Sequence, residues 1–435
     1  MKRRAQFALV LCFAGCAHWP SASAAQSTKH PTAKQTEHLS TAQILLRDAE
    51  KSLDQKDYST AADLYAKFIT DHPEEAFAHF QLAYAFTALH RNTEAQAEYR
   101  TAIELDPKMG AAYLNLGLLL IPADPAGAAP LLLKAIELLP PDAEHHYLAG
   151  TALERSGNSM AATEQYRKAI GLDASKWGYH IALARVLLAT RQMSDAEKEF
   201  RAALAIRPGD GPARLGMAQC LIEQKKLPQA TEALRAYLET APADKETRLQ
   251  LASLYADQSR YDDALKELDQ LGAEADAPPA ADQLRVEVLL RNKKYDEAIE
   301  PLRRLLAHAP NDAVLHGRLG RLLLQKRDFP AAQQELVAAL RLDPKLTDAL
   351  RDLSSTYYLA ENYSAALAAM DDLDKREQPG AGQWFVRALC YDKLRRQPEA
   401  LEAYQKFLEL NNGKASDQEF EARQRVRILK KMLKK

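Results

Sequence analysis

The sequence predicts an all-α protein, a solenoid of about eleven tandem helix–turn–helix repeats closed by a C-terminal capping helix. Three observations carry this expectation. Val and Ile number only 8 and 11 in 435 residues, although 47% of the side chains are apolar, so the core must be built from helix-favouring Ala and Leu. Pro73, Pro107, Pro140, Pro208, Pro242, Pro310 and Pro344 fall at intervals of 34, 33, 68, 34, 68 and 34 residues. With the slots at Ala174, Asp276, Gln378 and Asn412 filled in, the lattice has eleven marks, and an Ala stands twelve residues ahead of each: Ala61, Ala95, Ala128, Ala162, Ala196, Ala230, Ala264, Ala298, Ala332, Ala366 and Ala400.

Residues 1–25 read as an export signal. Lys2-Arg3-Arg4 is a basic start, Ala5 to Ala17 an uncharged apolar run too short to span a bilayer, and Ala22-Ser23-Ala24 a small-residue cleavage site. Phe13-Ala14-Gly15-Cys16 resembles a bacterial lipoprotein box, with Phe where Leu is usual, so acylation at Cys16 stands as the alternative to soluble export. Either route places the protein in the periplasm or cell envelope, or outside the cell. Residues 26–40 are polar and read as a linker. Cys220 and Cys390 lie five repeats apart and cannot bridge within one chain, so packing alone must stabilise the fold.

Residues 41–414 hold the repeats. Four residues after each lattice Ala stands a large apolar side chain: Tyr65, Tyr99, Leu132, Tyr166, Phe200, Leu234, Leu268, Leu302, Leu336, Met370 and Tyr404. Twelve residues before each Ala, or eleven in the third copy, lies a second small slot, broken only by Val286. Small residues at two fixed places let paired helices approach, and the large residue fills the space beside them. Pro at the repeat end stops the second helix, while Pro228, Pro330 and Pro398 fit the first helical position, where a missing N–H costs nothing. The third copy, one residue short and carrying Pro122, Pro125 and Pro130, and the eighth, with Pro278, Pro279 and Pro301, are expected to kink locally.

This pattern resembles the tetratricopeptide repeat family: a 34-residue period, a small residue at position 8, Ala at 20, an aromatic or Leu at 24, and Pro at 32. The resemblance implies a right-handed superhelical α-solenoid used as a non-catalytic scaffold for protein–protein interaction. It also implies that positions 2, 5, 9 and 12 of the first helices line a concave groove. Those positions hold Phe77, Phe80 and Tyr84 in the second repeat, Leu114 and Leu118 in the third, and Tyr147 in the fourth. Towards the other end they hold Arg321 and Arg351. The expected partner is a peptide or protein segment laid against this face. Relatives that grip a terminal carboxylate use Lys and Asn at groove positions. Here the corresponding places carry Phe80, Tyr84, Leu114 and Leu118, so no such clamp is expected.

Residues 415–435 read as a last helix, with Ser416 as its cap and Glu419 three residues on. Ala422, Val426, Leu429 and Leu433 form an apolar stripe that would cover the final repeat. Arg423, Arg425, Arg427, Lys430, Lys431, Lys434 and Lys435 make its end basic, which suits either a solubilising cap or attachment to a membrane surface or an acidic partner.

Other chemistry finds little support. The charge is balanced, 58 basic against 59 acidic residues, which removes the basic excess a nucleic-acid protein needs. There is no HExxH zinc motif and no phosphate loop. Gly157-Asn158-Ser159-Met160-Ala161 resembles a nucleophile elbow, but it lacks the last Gly and the strand before it. His79, His146, His180 and His316 share position 4 of the first helix, roughly 10 Å apart in stacked repeats, too far to share a metal. No enzyme activity, cofactor or metal is therefore expected. The rival readings are a lipid-anchored assembly factor of envelope or pilus machinery and a regulatory array on an enzyme complex.

Overall fold

The computed structural model describes residues 40–271, 278–411 and 415–433. The export signal, Cys16, nearly all of the 26–40 linker, and Lys434 and Lys435 lie outside the described residues. The described residues form α-helices and one 3-10 turn, with no strand among them. The chain divides into two compact units, Met1–Ala233 and Leu234–Lys435.

In the first unit the helices run in pairs: α1 (Thr41–Asp54) with α2 (Tyr58–Asp71), α3 (Ala76–Ala88) with α4 (Asn92–Leu105), α5 (Gly110–Leu120) with α6 (Pro125–Leu138), α7 (Ala143–Arg155) with α8 (Ser159–Leu172), and α9 (Trp177–Ala189) with α10 (Met193–Ile206). Then come α11 (Gly211–Glu223) and α12 (Leu227–Leu238), the latter carrying the unit boundary. The second unit continues with α13 (Lys245–Asp257) and α14 (Tyr261–Asp269), then α15 (Pro279–Arg291), a 3-10 turn (Asp296–Ala298) and α16 (Ile299–His308). It ends with α17 (Ala313–Gln325), α18 (Phe329–Leu342), α19 (Thr347–Leu359), α20 (Tyr363–Asp374), α21 (Ala381–Lys393), α22 (Gln397–Asn411) and α23 (Ser416–Met432).

The eleven lattice alanines are all 0% exposed, and the large residues four places on are all buried. Position 8 is tight enough to demand the small residue. A Cβ on Gly150 would meet the Tyr166 ring at 2.6 Å, one on Gly117 the Leu132 Cγ at 2.6 Å, and one on Gly320 the Leu336 Cγ at 2.5 Å. No Cβ tolerates such distances, so close helix approach and large position-24 side chains are one device.

The turn inside each pair is equally regular. Lys56, His90, Arg191, Lys225, Ser259, Lys293, Arg327, Glu361 and Arg395 are left-handed, with φ near +60°, and Gly157 has φ of +86°. Each sits just past a first helix. The N–H of Lys56 donates to the Leu53 carbonyl and that of Asp57 to the Ser52 carbonyl, closing the helix end. The next residue then caps the second helix: the Asp57 carboxylate accepts from Thr60 N–H at 3.1 Å. The third repeat lacks a left-handed residue: α5 is two residues shorter than α3 and α7, and four residues rather than three lead from it to the second helix. Its Pro122 has φ fixed negative, and Asp124 N–H donates straight back to Leu120 at 2.8 Å.

Three sequence expectations shift in detail. Pro228, Pro330 and Pro398 are the second, not the first, residues of their helices, still within the turn whose N–H groups have no partner. Pro130 leaves α6 continuous, whereas the eighth repeat starts its second helix with the 3-10 turn. There Pro301 becomes the third residue of α16, where its missing N–H and its ring are harmless. Finally, Ala415 rather than Ser416 precedes α23, and Ser416 makes no capping bond. Glu419 instead accepts from the buried Asn411 side chain at 2.9 Å, and Arg425 donates to Asp392, so polar contacts dock this helix on α22 and α21. Ala422 and Leu429 are buried and Val426 half-buried, but Leu433 stays exposed beyond the helix end.

Candidate functional site

The first-helix positions named from sequence do not form one surface of uniform character. In the first unit Phe77 is 49% exposed, while Phe80 and Tyr84 are half-buried. Packing accounts for the latter two: Phe80 lies against Tyr99 with ring centroids 5.8 Å apart, and Tyr84 meets Tyr58 edge-on at 6.3 Å. Tyr147 stacks on Tyr179 at 4.9 Å and sits 5.8 Å from Tyr166, and burial raises the pKa of its phenol. Leu118 is half-buried. Leu114 is 3% exposed and belongs to the core, so it is withdrawn as a groove residue. Tyr147, at the same repeat position, is only half-buried.

In the second unit Arg321 and Arg351 are exposed but already engaged. Arg321 donates to Asp352 at 2.7 Å and lies 3.6 Å from Asp348. Arg351 reaches Asp348 at 2.6 Å and Glu377 at 2.8 Å. Burial pushes the Asp352 carboxyl up, while the Arg321 guanidinium pulls it down. The two arginines thus form a ladder across the ninth and tenth repeats. They are not free cations.

The same unit holds a cavity of about 960 Å³ that the sequence did not announce. Its walls come from position 5 and 9 residues of the seventh and eighth repeats, Leu249, Ser253, Gln283 and Glu287, and from Val314 and Arg321 of the ninth. Its floor is Leu302 and Leu305 of α16. Val314 is 48% exposed at the rim. Of the residues proposed from sequence only Arg321 lines this space. The available signal was Val286, the single break in the small-residue slot, which also lines the cavity.

The position-4 histidines are held by the second helix of their own repeat and, in three of the four, by the end of the repeat before. The Nδ1 of His79, His180 and His316 lies 2.6 Å from Glu98, Glu199 and Glu335 respectively, each nineteen residues on. Their Nε2 atoms face the carbonyls of Pro73, Ala174 and Pro310 at 3.0, 3.2 and 3.1 Å. His146 pairs with Gln165 at 2.8 Å, and Arg248 with Glu267 at 2.7 Å. Among the described residues no group of three His, Cys, Asp or Glu side chains could hold a metal ion.

A helical array that buries alanine and a large partner residue at a 34-residue period is a repeat scaffold. Two profiles described as tetratricopeptide repeat match the chain, one over residues 80–143, 249–313 and 318–382, the other over 187–246 and 289–345. Together they cover more than half of it, and the chain belongs to the tetratricopeptide repeat family, a class of scaffold for protein–protein interaction. Solved structures similar to it include YrrB, "a TPR protein with an unusual peptide-binding site". That structure is 21% identical, covers 46% of this chain and 100% of its own, and has a TM-score of 0.40. Pseudomonas aeruginosa pilF is 20% identical, with 48% and 94% coverage and a TM-score of 0.35. Yeast Tom70 is 13% identical, with 90% and 96% coverage and a TM-score of 0.31. Among curated proteins no relative matches.

Proposed function

We propose that this chain is a non-catalytic scaffold of the cell envelope that holds a peptide or protein segment against its first-helix face. The principal site on this reading is the cavity of the seventh to ninth repeats. The observation that carries it is the combination of volume and lining. About 960 Å³ of space faces a leucine-rich wall with a few fixed polar groups, as ligand sites do. Val314 at its rim supplies an apolar contact that the fold itself does not use. The test is affinity capture from the producing cell with wild type and Val314→Lys. A charged side chain at the rim should remove the specific partner, whereas Phe77→Ser in the other unit should retain it.

A lipid-anchored assembly factor remains the second reading, supported by the Cys16 context and by the outer face of α23. Phe420 is 67% exposed there, Ile428 and Met432 are exposed farther along the helix, and Arg427, Lys430 and Lys431 have no ion-pair partner among the described residues. Mass spectrometry of the mature N-terminus decides between acylated Cys16 and a free Ala25 or Gln26. No helix among the described residues is long and apolar enough to cross a membrane.

A further inference from the structure

The eighth repeat departs from its neighbours in three ways at once. Position 8 holds Val286, two methyl groups larger than the usual Ala. Its second helix is shortened to α16 by the 3-10 turn ahead of Pro301. Its position 4 is the buried Asp282, which binds Arg304 through two contacts of 2.9 and 2.6 Å, reversing the usual polarity. A larger residue at the contact and a shorter partner helix keep α15 and α16 from closing over each other. The cavity lies where that closure fails, with Val286 and Leu302 in its lining.

Most of the charged side chains around the cavity are already engaged. Glu287 is paired with Arg291 at 2.6 Å. The Asp312 carboxylate accepts the N–H groups of Val314 and Leu315 at 2.9 and 3.0 Å, capping α17. Arg321 turns to Asp352. Arg318 remains: it lines the cavity, is exposed, and has no hydrogen-bond or ion-pair partner among the described residues. One guanidinium without a bonded partner beside a leucine wall recognises a carboxylate next to an aliphatic group.

Resting on the groove reading above, we propose that this cavity selects an extended segment with an aliphatic residue beside an internal Asp or Glu. The aliphatic side chain enters between Leu249, Leu290 and Leu305, and the acidic side chain meets Arg318. First-helix positions continue past Arg318 to Asp348 and Arg351 of the tenth repeat, so a bound chain runs past the guanidinium and does not end on it.

The test uses the purified full chain and an array of acetylated, amidated dodecapeptides of Gly and Ser. Each carries two Leu and one Glu at permuted spacings, beside Gln counterparts and versions with a free C-terminal carboxylate. Binding should appear for particular Leu–Glu spacings and fall about tenfold on Glu-to-Gln exchange. Arg318→Gln should erase that difference, and Arg318→Lys should restore part of it. Val314→Lys should abolish binding of every peptide. Equal affinity for Glu and Gln peptides, or binding that needs the free carboxylate, overturns the acidic specificity while a Val314→Lys effect keeps the groove. Absence of binding, or binding indifferent to both substitutions, overturns both. Both side chains are exposed, and circular dichroism checks that each variant keeps its helices.

Discussion

The Nδ1 of His79 lies 2.6 Å from the Glu98 carboxylate across the second helix pair, and the Nε2 faces the Pro73 carbonyl at 3.0 Å. The pair ties a first helix both to its partner and to the turn that precedes it. A double-mutant cycle with His79→Ala and Glu98→Ala should give a coupling of about 1 kcal/mol in chemical denaturation, the value for a partly buried charge-assisted contact. A coupling near zero would show the contact to be incidental.

The left-handed turn residues predict a stabilising substitution that adds no contact. Lys225 has φ of 58° and Glu361 of 60°. Glycine adopts this conformation without the Cβ clash, so Lys225→Gly or Glu361→Gly should raise stability by about 0.5 kcal/mol, after the greater unfolded-state entropy is subtracted. Gly157→Ala should lower it, because φ there is +86° although no atom lies near the new Cβ. Thermal unfolding of the three variants reads all three signs.

Position 8 predicts the opposite for glycine. Gly150→Ala at position 8 drives a methyl into the Tyr166 ring, and Gly216→Ala, two residues ahead of the position-8 Ala218 in α11, drives one into the Phe200 ring, so each should cost about 1–3 kcal/mol. Gly178→Ala, within α9 with nothing near its Cβ, should gain up to about 1 kcal/mol from helix propensity. Denaturant midpoints of this matched set separate close packing from propensity.

Burial pushes the Cys220 and Cys390 thiols up to about 11, with Glu197 adding to the effect at Cys220, and burial pushes the Tyr99 phenol up to about 12. The sign follows directly. Between the unfolded values, near 8.5 for Cys and 10 for Tyr, and these native ones, the unfolded chain binds fewer protons than the folded one. The contribution is therefore complete below about pH 8 and is lost as pH rises through 11 to 12. Denaturation midpoints should fall across that alkaline range. Cys220→Ala and Cys390→Ala should flatten the early part of the fall. Both thiols should resist alkylation at pH 8 until the chain unfolds.

Much of this architecture was legible because it depends on residue size at fixed spacing. Ala162 and Tyr166 recur as a pair, and nothing but helix contact at that point requires both. The turn chemistry was less visible, since Lys56, His90 and Glu361 share only a backbone conformation and no side-chain type. Leu114 was misplaced because a groove position and a core position differ by the depth of the neighbouring helices, which one helix's sequence does not record. The Arg321–Asp352 pair crosses repeats at an offset of 31 residues, outside any local pattern. The cavity arises from an irregularity, Val286 with Pro301, and an irregularity reveals its consequence only when the helices around it are seen.

Photo-crosslinking from residue 314 tests the central claim most directly. A benzophenone amino acid replaces Val314 in the producing cell, with the same probe at the exposed second-helix position Arg341 as reference. A discrete adduct from 314, absent from 341 and displaced by a Leu–Glu peptide, is the predicted result. Equal labelling from both positions, or none from 314, contradicts it.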